Sequence, residues 1–274
     1  MIRDITIGQY YPAKSVIHSL DPRVKIVCTL LFLISLFVQR SVLGYAIATL
    51  LLVVIIHTCK VPFKYIVKGL RPIIILLLIT VIFNLFLVRG GEILFQYRIL
   101  QITEEGLRTA VYMGVRLIYL LIGSSIMTFT TTPIALTDGL ESLLRPLNKV
   151  KVPVHEMAMM MSIALRFIPI LLEETDKIMK AQIARGADLD SGNIFQRVKA
   201  VIPILVPLFV SAFRRASDLA MAMEARCYRF GEGRTKMKPL HYQARDYRIY
   251  LVMACYLAMM ILLGHLVTFY VWVF

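Results

Sequence analysis

Glu174-Thr175-Asp176-Lys177-Ile178-Met179-Lys180-Ala181-Gln182-Ile183-Ala184-Arg185-Gly186 decides how this chain reads. It is an amphipathic helical pattern that stops on an arginine. Ala187-Asp188-Leu189-Asp190-Ser191-Gly192 follows, which is loop chemistry. The plan recurs at Ser217-Asp218-Leu219-Ala220-Met221-Ala222-Met223-Glu224-Ala225-Arg226-Cys227, and the two arginines stand 41 positions apart. A cation in a last turn favours the helix dipole, and glycine beyond it is the commonest C-terminal cap. One such ending has that plain explanation. Two matched endings, Ala184-Arg185-Gly186 and Ala225-Arg226-Cys227, in one basic, cytoplasm-facing segment of a membrane protein are harder to dismiss as plain helix ends.

Composition sets the environment. The 274 residues are 58% hydrophobic and 18% charged, with mean hydropathy +0.73. Soluble domains are about half apolar and a quarter charged, so this is a polytopic membrane protein in contact with the lipid bilayer. The net charge of +14 is then a matter of topology and not of nucleic acid, for which no binding is expected. No removable leader is evident at the N-terminus. Cys28, Cys59, Cys227 and Cys255 have no CxxC spacing, and the histidines show no ligand spacing. No metal or cofactor is expected.

Apolar runs at 26–38, 42–56, 72–88, 106–129 and 247–274 predict five spans. Asp21 is expected to cap the first, with Pro22 at its first helical position. Lys60, Lys64, Lys68 and Arg71 predict one short amphipathic helix on the inner leaflet. Tyr97 and Gln101 suggest a small outer hairpin. Trp272, Tyr270 and Phe274 suggest an aromatic anchor. Arg116, inside a span, should face protein or a cavity. The two short inner segments carry eight Lys and Arg against four on the outer side, and 131–248 carries eighteen more. That bias sets residues 131–246 inside the cell. The expected domains are 1–130 with four spans, 131–246 as a long cytoplasmic insert, and 247–274 as the last span.

Within 131–246, a helix over 136–144 is expected to stop at Arg145-Pro146. A much longer one runs from Val152-Pro153 to about Arg185, too long for an upright span. Its first half is apolar nearly all round. Met157, Met159, Met160, Met161 and Phe167 form an apolar surface for contact with lipid or apolar protein, and flexible methionines suit one that repacks against changing partners. A second long helix over 194–226 repeats the plan. Its Ala212, Ala216 and Ala220 make a smooth stripe for a neighbouring helix. Residues 229–237 lack the GxxxxGK[ST] of a phosphate loop, and Asp188 with Asp190 reads as a solvated loop.

These residues resemble a known family. The two Ala-Arg-small endings, Leu144-Arg145-Pro146-Leu147, Leu165-Arg166-Phe167-Ile168-Pro169, Met223-Glu224-Ala225-Arg226-Cys227-Tyr228 and Asp21-Pro22-Arg23 look like the transmembrane T component of energy-coupling factor (ECF) transporters. The resemblance covers essentially the whole chain. It departs at Cys227, where the family could carry glycine, which makes a glycine cap there unnecessary. It implies an all-α integral membrane protein with about five transmembrane helices and two long crossing coupling helices, in a prokaryotic cell membrane, and it makes 131–246 a cytoplasmic coupling domain. It implies a non-catalytic subunit for vitamin or metal-ion uptake. Two cytosolic ABC-type ATPases would dock at Ala184, Arg185, Gly186 and at Ala225, Arg226, Cys227. A substrate-binding S component would rest on the methionine face. The competing readings are a membrane-embedded enzyme, with Asp188/Asp190 or Arg116 as its chemistry, and an autonomous carrier. The first wants catalytic groups clustered at one depth, the second polar residues along several spans, and the sequence supplies neither.

Overall fold

Asp21 opens the fold as the sequence predicts. Its carboxylate accepts from the Arg23 backbone N–H at 2.9 Å, and Pro22 begins α1, Pro22–Val38. The computed structural model describes residues 10–39, 41–70, 73–88, 90, 93–97, 100–187, 194–228, 237 and 239–273. After α1 come α2 (Val42–Cys59), α3 (Phe63–Leu70), α4 (Ile74–Leu87), strands β1 (Ile93–Tyr97) and β2 (Leu100–Thr103), α5 (Glu104–Thr130) and α6 (Pro133–Leu144). Then α7 (Val154–Ala184), α8 (Ile194–Ala225) and α9 (Ala244–Val273) complete the chain. Among the described residues the protein is all-α apart from the antiparallel β1–β2 hairpin, where Gln96 faces Gln101 and Tyr97 faces Leu100.

Several expectations shift. The basic helix over 60–71 is broken. Lys60 is the left-handed cap of α2 (φ 56°), and α3 begins only after Pro62. Proline lacks the N–H and clashes with a preceding turn, so one continuous helix cannot form there. Arg71 lies outside the described residues. α6 does end at Leu144, where Arg145-Pro146 was expected to stop it, and a 3-10 turn over Arg145–Val150 follows. The 72–88 run yields an α4 of 14 residues, about 21 Å, shorter than the ~30 Å hydrocarbon core. Among the described residues five helices are long and apolar enough to cross a membrane: α2, α5, α7, most of α8, and α9 as far as Gly264. Asp188, Asp190, 229–236 and the side chains of Tyr270, Trp272 and Phe274 lie outside the described residues.

The chain divides into two compact units, one of residues 8–143 and 240–274, the other built on 144–239. In the first, α1 lies antiparallel to α5. Lys25 meets Thr130, Phe32 meets Gly123 and Gln39 meets Arg116, each pair adding to the same total. Gly123 is needed at that contact, since a Cβ there would come within 2.9 Å of the Phe32 ring. The core is Phe32, Leu36, Tyr45, Ala48, Leu52, Ile126, Phe129, Met253 and Tyr256.

A polar knot holds the ends of α1, α5, α6 and α9 together. Asp246, 1% exposed, accepts from the backbone N–H of Asp21 (3.1 Å) and of Gln243 (2.7 Å). Arg23 pairs with Asp21 at 2.8 Å, lies 3.8 Å over the Tyr242 ring and reaches Ser142. Lys25 donates to the carbonyls of His18 and Thr130. Each buried charge here has partners, the condition under which burial is tolerated.

Candidate coupling site: two arginine-tipped helices

α7 and α8 form the second unit, and their contacts run antiparallel. The Tyr228 hydroxyl donates to Met159 Sδ (3.0 Å), Arg215 pairs with Glu174 (2.9 Å) and Gln182 donates to the Pro203 carbonyl (3.3 Å). Those pairs keep a nearly constant total along the two helices. Between them Ile163, Phe167 and Leu171 face Ala212, Ala216 and Ala220 across an apolar groove. The alanine stripe does lie toward the neighbouring helix. The Arg215–Glu174 pair, 39% and 25% exposed, adds at most about 1 kcal/mol at such a surface. Apolar packing and the shared interface carry most of the pairing.

The two helix ends are the same structure. At the first, the Gly186 N–H donates to Ile183 O (2.9 Å) and the Ala187 N–H to Gln182 O (3.0 Å). At the second, the Cys227 N–H donates to Glu224 O (2.8 Å) and the Tyr228 N–H to Met223 O (2.9 Å). Both are Schellman caps, with the arginine as the last half-helical residue. The left-handed position is Gly186 (φ 88°) in one and Cys227 (φ 54°) in the other. The sequence reading that Cys227 has no glycine-type cap to make is therefore corrected. The hydrogen bonds demand positive φ, and cysteine adopts it. Ala184, Arg185, Gly186, Ala225, Arg226 and Cys227 are all exposed.

Because the helices are antiparallel, these ends lie at opposite ends of the pair. The contact register sets Arg226 near the level of Met161. Arg185 is then about 24 residues, or ~36 Å, further along α7.

The five residues read as a partner face divide. Met157, Met160 and Met161 are 54%, 60% and 54% exposed. Met159 and Phe167 are half-buried and turn to Tyr228 and to the α8 alanines. Sequence reasoning missed a second open apolar face on α8, where Ile202, Val206, Phe209, Val210 and Phe213 are each more than half exposed. Its signal was present in the apolar run 198–213. Among the described residues no three His, Cys, Asp or Glu gather as a metal site.

This architecture defines a class: a multi-pass, all-α membrane protein with one compact unit of apolar helices and a second unit built on two long, capped and largely unburied helices. The family described as cobalt transport protein (CbiQ) matches residues 13–237. Similar proteins bear the name energy-coupling factor transporter transmembrane protein EcfT. That of Clostridium kluyveri is 57% identical over 248 residues, 90% of this chain and 92% of the relative. That of Acidaminococcus fermentans is 52% identical over 266 residues, 97% and 98% of the two chains. That of Bacillus subtilis is 48% identical over 246 residues, 90% and 93%. The chain belongs to this family, the transmembrane energy-coupling components of ECF transporters in bacterial cell membranes.

Proposed function

We propose that α7 and α8 are the coupling helices of an ECF-type importer, and that each arginine tip docks on one of two cytosolic ABC-type ATPases. The observation that carries this reading is the pair of matching, exposed Schellman ends set ~36 Å apart by the antiparallel register. Two equivalent tips at that separation suit two equivalent partners side by side. Arginine offers five N–H donors in a rigid fork, apt for carboxylates or carbonyls in a partner's groove. Long helices carry a rigid-body movement of that partner without absorbing it. The same reading has the ATPases hydrolyse ATP and this subunit contribute no catalysis. An S component that captures a vitamin or a metal ion would rest on Met157, Met160 and Met161, together with the open face of α8. Met159 and Phe167 would support that face from behind. Residues 131–246 are the cytoplasmic coupling domain in this scheme, flanked by the spans of 1–130 and 247–274.

Co-purification of the complex tests it. Arg185→Glu and Arg226→Glu should each weaken ATPase retention, and the double variant should lose the ATPases and transport together. The carboxylate meets acceptor groups with like charge. A double variant that assembles and transports normally would reduce both arginines to ordinary helix ends.

A further inference from the structure

Arg116 lies within the span of α5 and, among the described residues, has no anionic partner. α5 has 27 residues, about 40 Å, and a hydrocarbon core of about 20 residues counted from Thr130 ends near Val111, about 7 Å beyond Arg116 and short of Arg108. Its guanidinium donates to the Tyr45 hydroxyl (Nε, 3.1 Å) and the Gln39 carbonyl (3.3 Å), touches Met113 Sδ (3.7 Å), and sits 5.6 Å over the Phe37 ring. All these partners are neutral. Three of five N–H groups are thus engaged, which leaves two. Among the described residues no carboxylate oxygen lies within 4 Å of it.

The surroundings repeat the theme. Arg108, Tyr112 and Arg116 are spaced by four and share one face of α5. Arg108 lies 5.7 Å over the Tyr112 ring and has no ion pair among the described residues. Tyr112 packs 5.3 Å from Tyr45. Two cations thus bracket an aromatic shelf, about 12 Å apart along the helix. α1 ends at Val38 and its Gln39 cap reaches Arg116, while α5 continues past that level for 12 residues, about 18 Å. The α1–α2 turn therefore closes below the outer end of α5, and Arg116 crowns it.

We propose that Arg108 and Arg116 hold the phosphate of one acidic phospholipid of the outer leaflet, over the Tyr112 shelf. An uncompensated charge at membrane depth is costly, and a lipid phosphate is the anion every bilayer supplies at its surface. Guanidinium matches phosphate oxygens in bidentate geometry. The tyrosines give the headgroup region the amphipathic lining found at membrane interfaces.

The full-length chain is reconstituted in phosphatidylcholine nanodiscs with a minor fraction of phosphatidylglycerol, re-extracted into mild detergent and examined by native mass spectrometry. The wild-type chain should retain one phosphatidylglycerol in preference to phosphatidylcholine. Arg116→Gln should reduce retention about tenfold, the worth of one charge-assisted hydrogen bond. Arg116→Lys should fall between. Arg108→Gln touches only a ring face, so it should lower retention with the thermal midpoint unchanged, and it keeps the test valid should Arg116→Gln misfold. Unchanged retention in Arg108→Gln and in whichever Arg116 variant folds would overturn the proposal. Displacement by excess inorganic phosphate would overturn the assignment to a lipid.

Discussion

Cys227 and Gly186 occupy the same position in two identical caps, and they make opposite predictions. A left-handed residue with a Cβ costs about 1–2 kcal/mol, offset in part by the 0.5–1 kcal/mol of extra chain entropy that glycine loses on folding. Cys227→Gly should therefore stabilise the second helix end by up to ~1 kcal/mol, read as a raised thermal midpoint of the purified chain. A Cβ at Gly186 would meet nothing within 4 Å. Gly186→Ala should thus lower the midpoint through φ alone. Equal, same-signed shifts would show that the caps do not control these ends. Asp21 gives a pH prediction. Burial acts to raise its pKa, but the hydrogen bonds from the Arg23 guanidinium and backbone N–H outweigh that and hold the carboxyl below its usual 3.8. A depressed folded-state pKa stabilises above the ordinary carboxylate range and is lost as pH falls through the folded value. Stability should therefore hold from neutrality to about pH 5 and drop below ~4, less steeply in Asp21→Asn. An acid limb of the same slope in that variant would remove Asp21 from the account.

At the scale of the element, α7 has two apolar faces with different work. Met159 and Phe167 face α8, whereas Met157, Met160 and Met161 are open. Unbranched methionines repack cheaply, which suits a surface that serves more than one partner. Met160→Lys puts a charge on the open face and leaves the helix pair alone. It should release the S component and stop uptake while ATPase retention persists. Met159→Lys buries a cation against Tyr228 and should instead lower thermal stability of the whole subunit. Detergent pull-down alongside a melting curve separates the two. An S component retained by Met160→Lys would assign that face to lipid or to this chain's own packing.

At the scale of the whole molecule, the spanning unit depends on contacts between residues far apart in sequence. Asp246→Ala leaves the N–H groups of Asp21 and Gln243 without their acceptor. At about 1–3 kcal/mol for a buried unsatisfied group, it should destabilise by at least ~1 kcal/mol and reduce membrane-integrated yield. Normal yield and an unchanged melting curve would show the knot to be dispensable. Orientation is a second whole-molecule matter. With residues 131–246 inside, an impermeant thiol reagent should fail to label Ser191→Cys in sealed right-side-out cells, in a background with Cys227 and Cys255 changed to serine. Ready labelling would reverse the orientation and dismiss cytosolic docking with it.

What the sequence alone determined is what depends on neighbours along the chain. Asp21-Pro22 begins a helix because side chain and ring act on the next few backbone groups. Arg185-Gly186 ends one for the same local reason, and apolar run length marks most of the spans. The tertiary structure decided everything that needs a second segment. Asp21 finds Asp246 across 225 positions, which no periodicity encodes. Arg116 was legible as a charge that must face protein or a cavity, but not that its partners would be a phenol and a carbonyl. Which methionines of α7 stay open depends on where α8 lies. Cys227 takes the glycine conformation because two backbone hydrogen bonds, made only once the helix end is formed, outweigh the preference of its side chain.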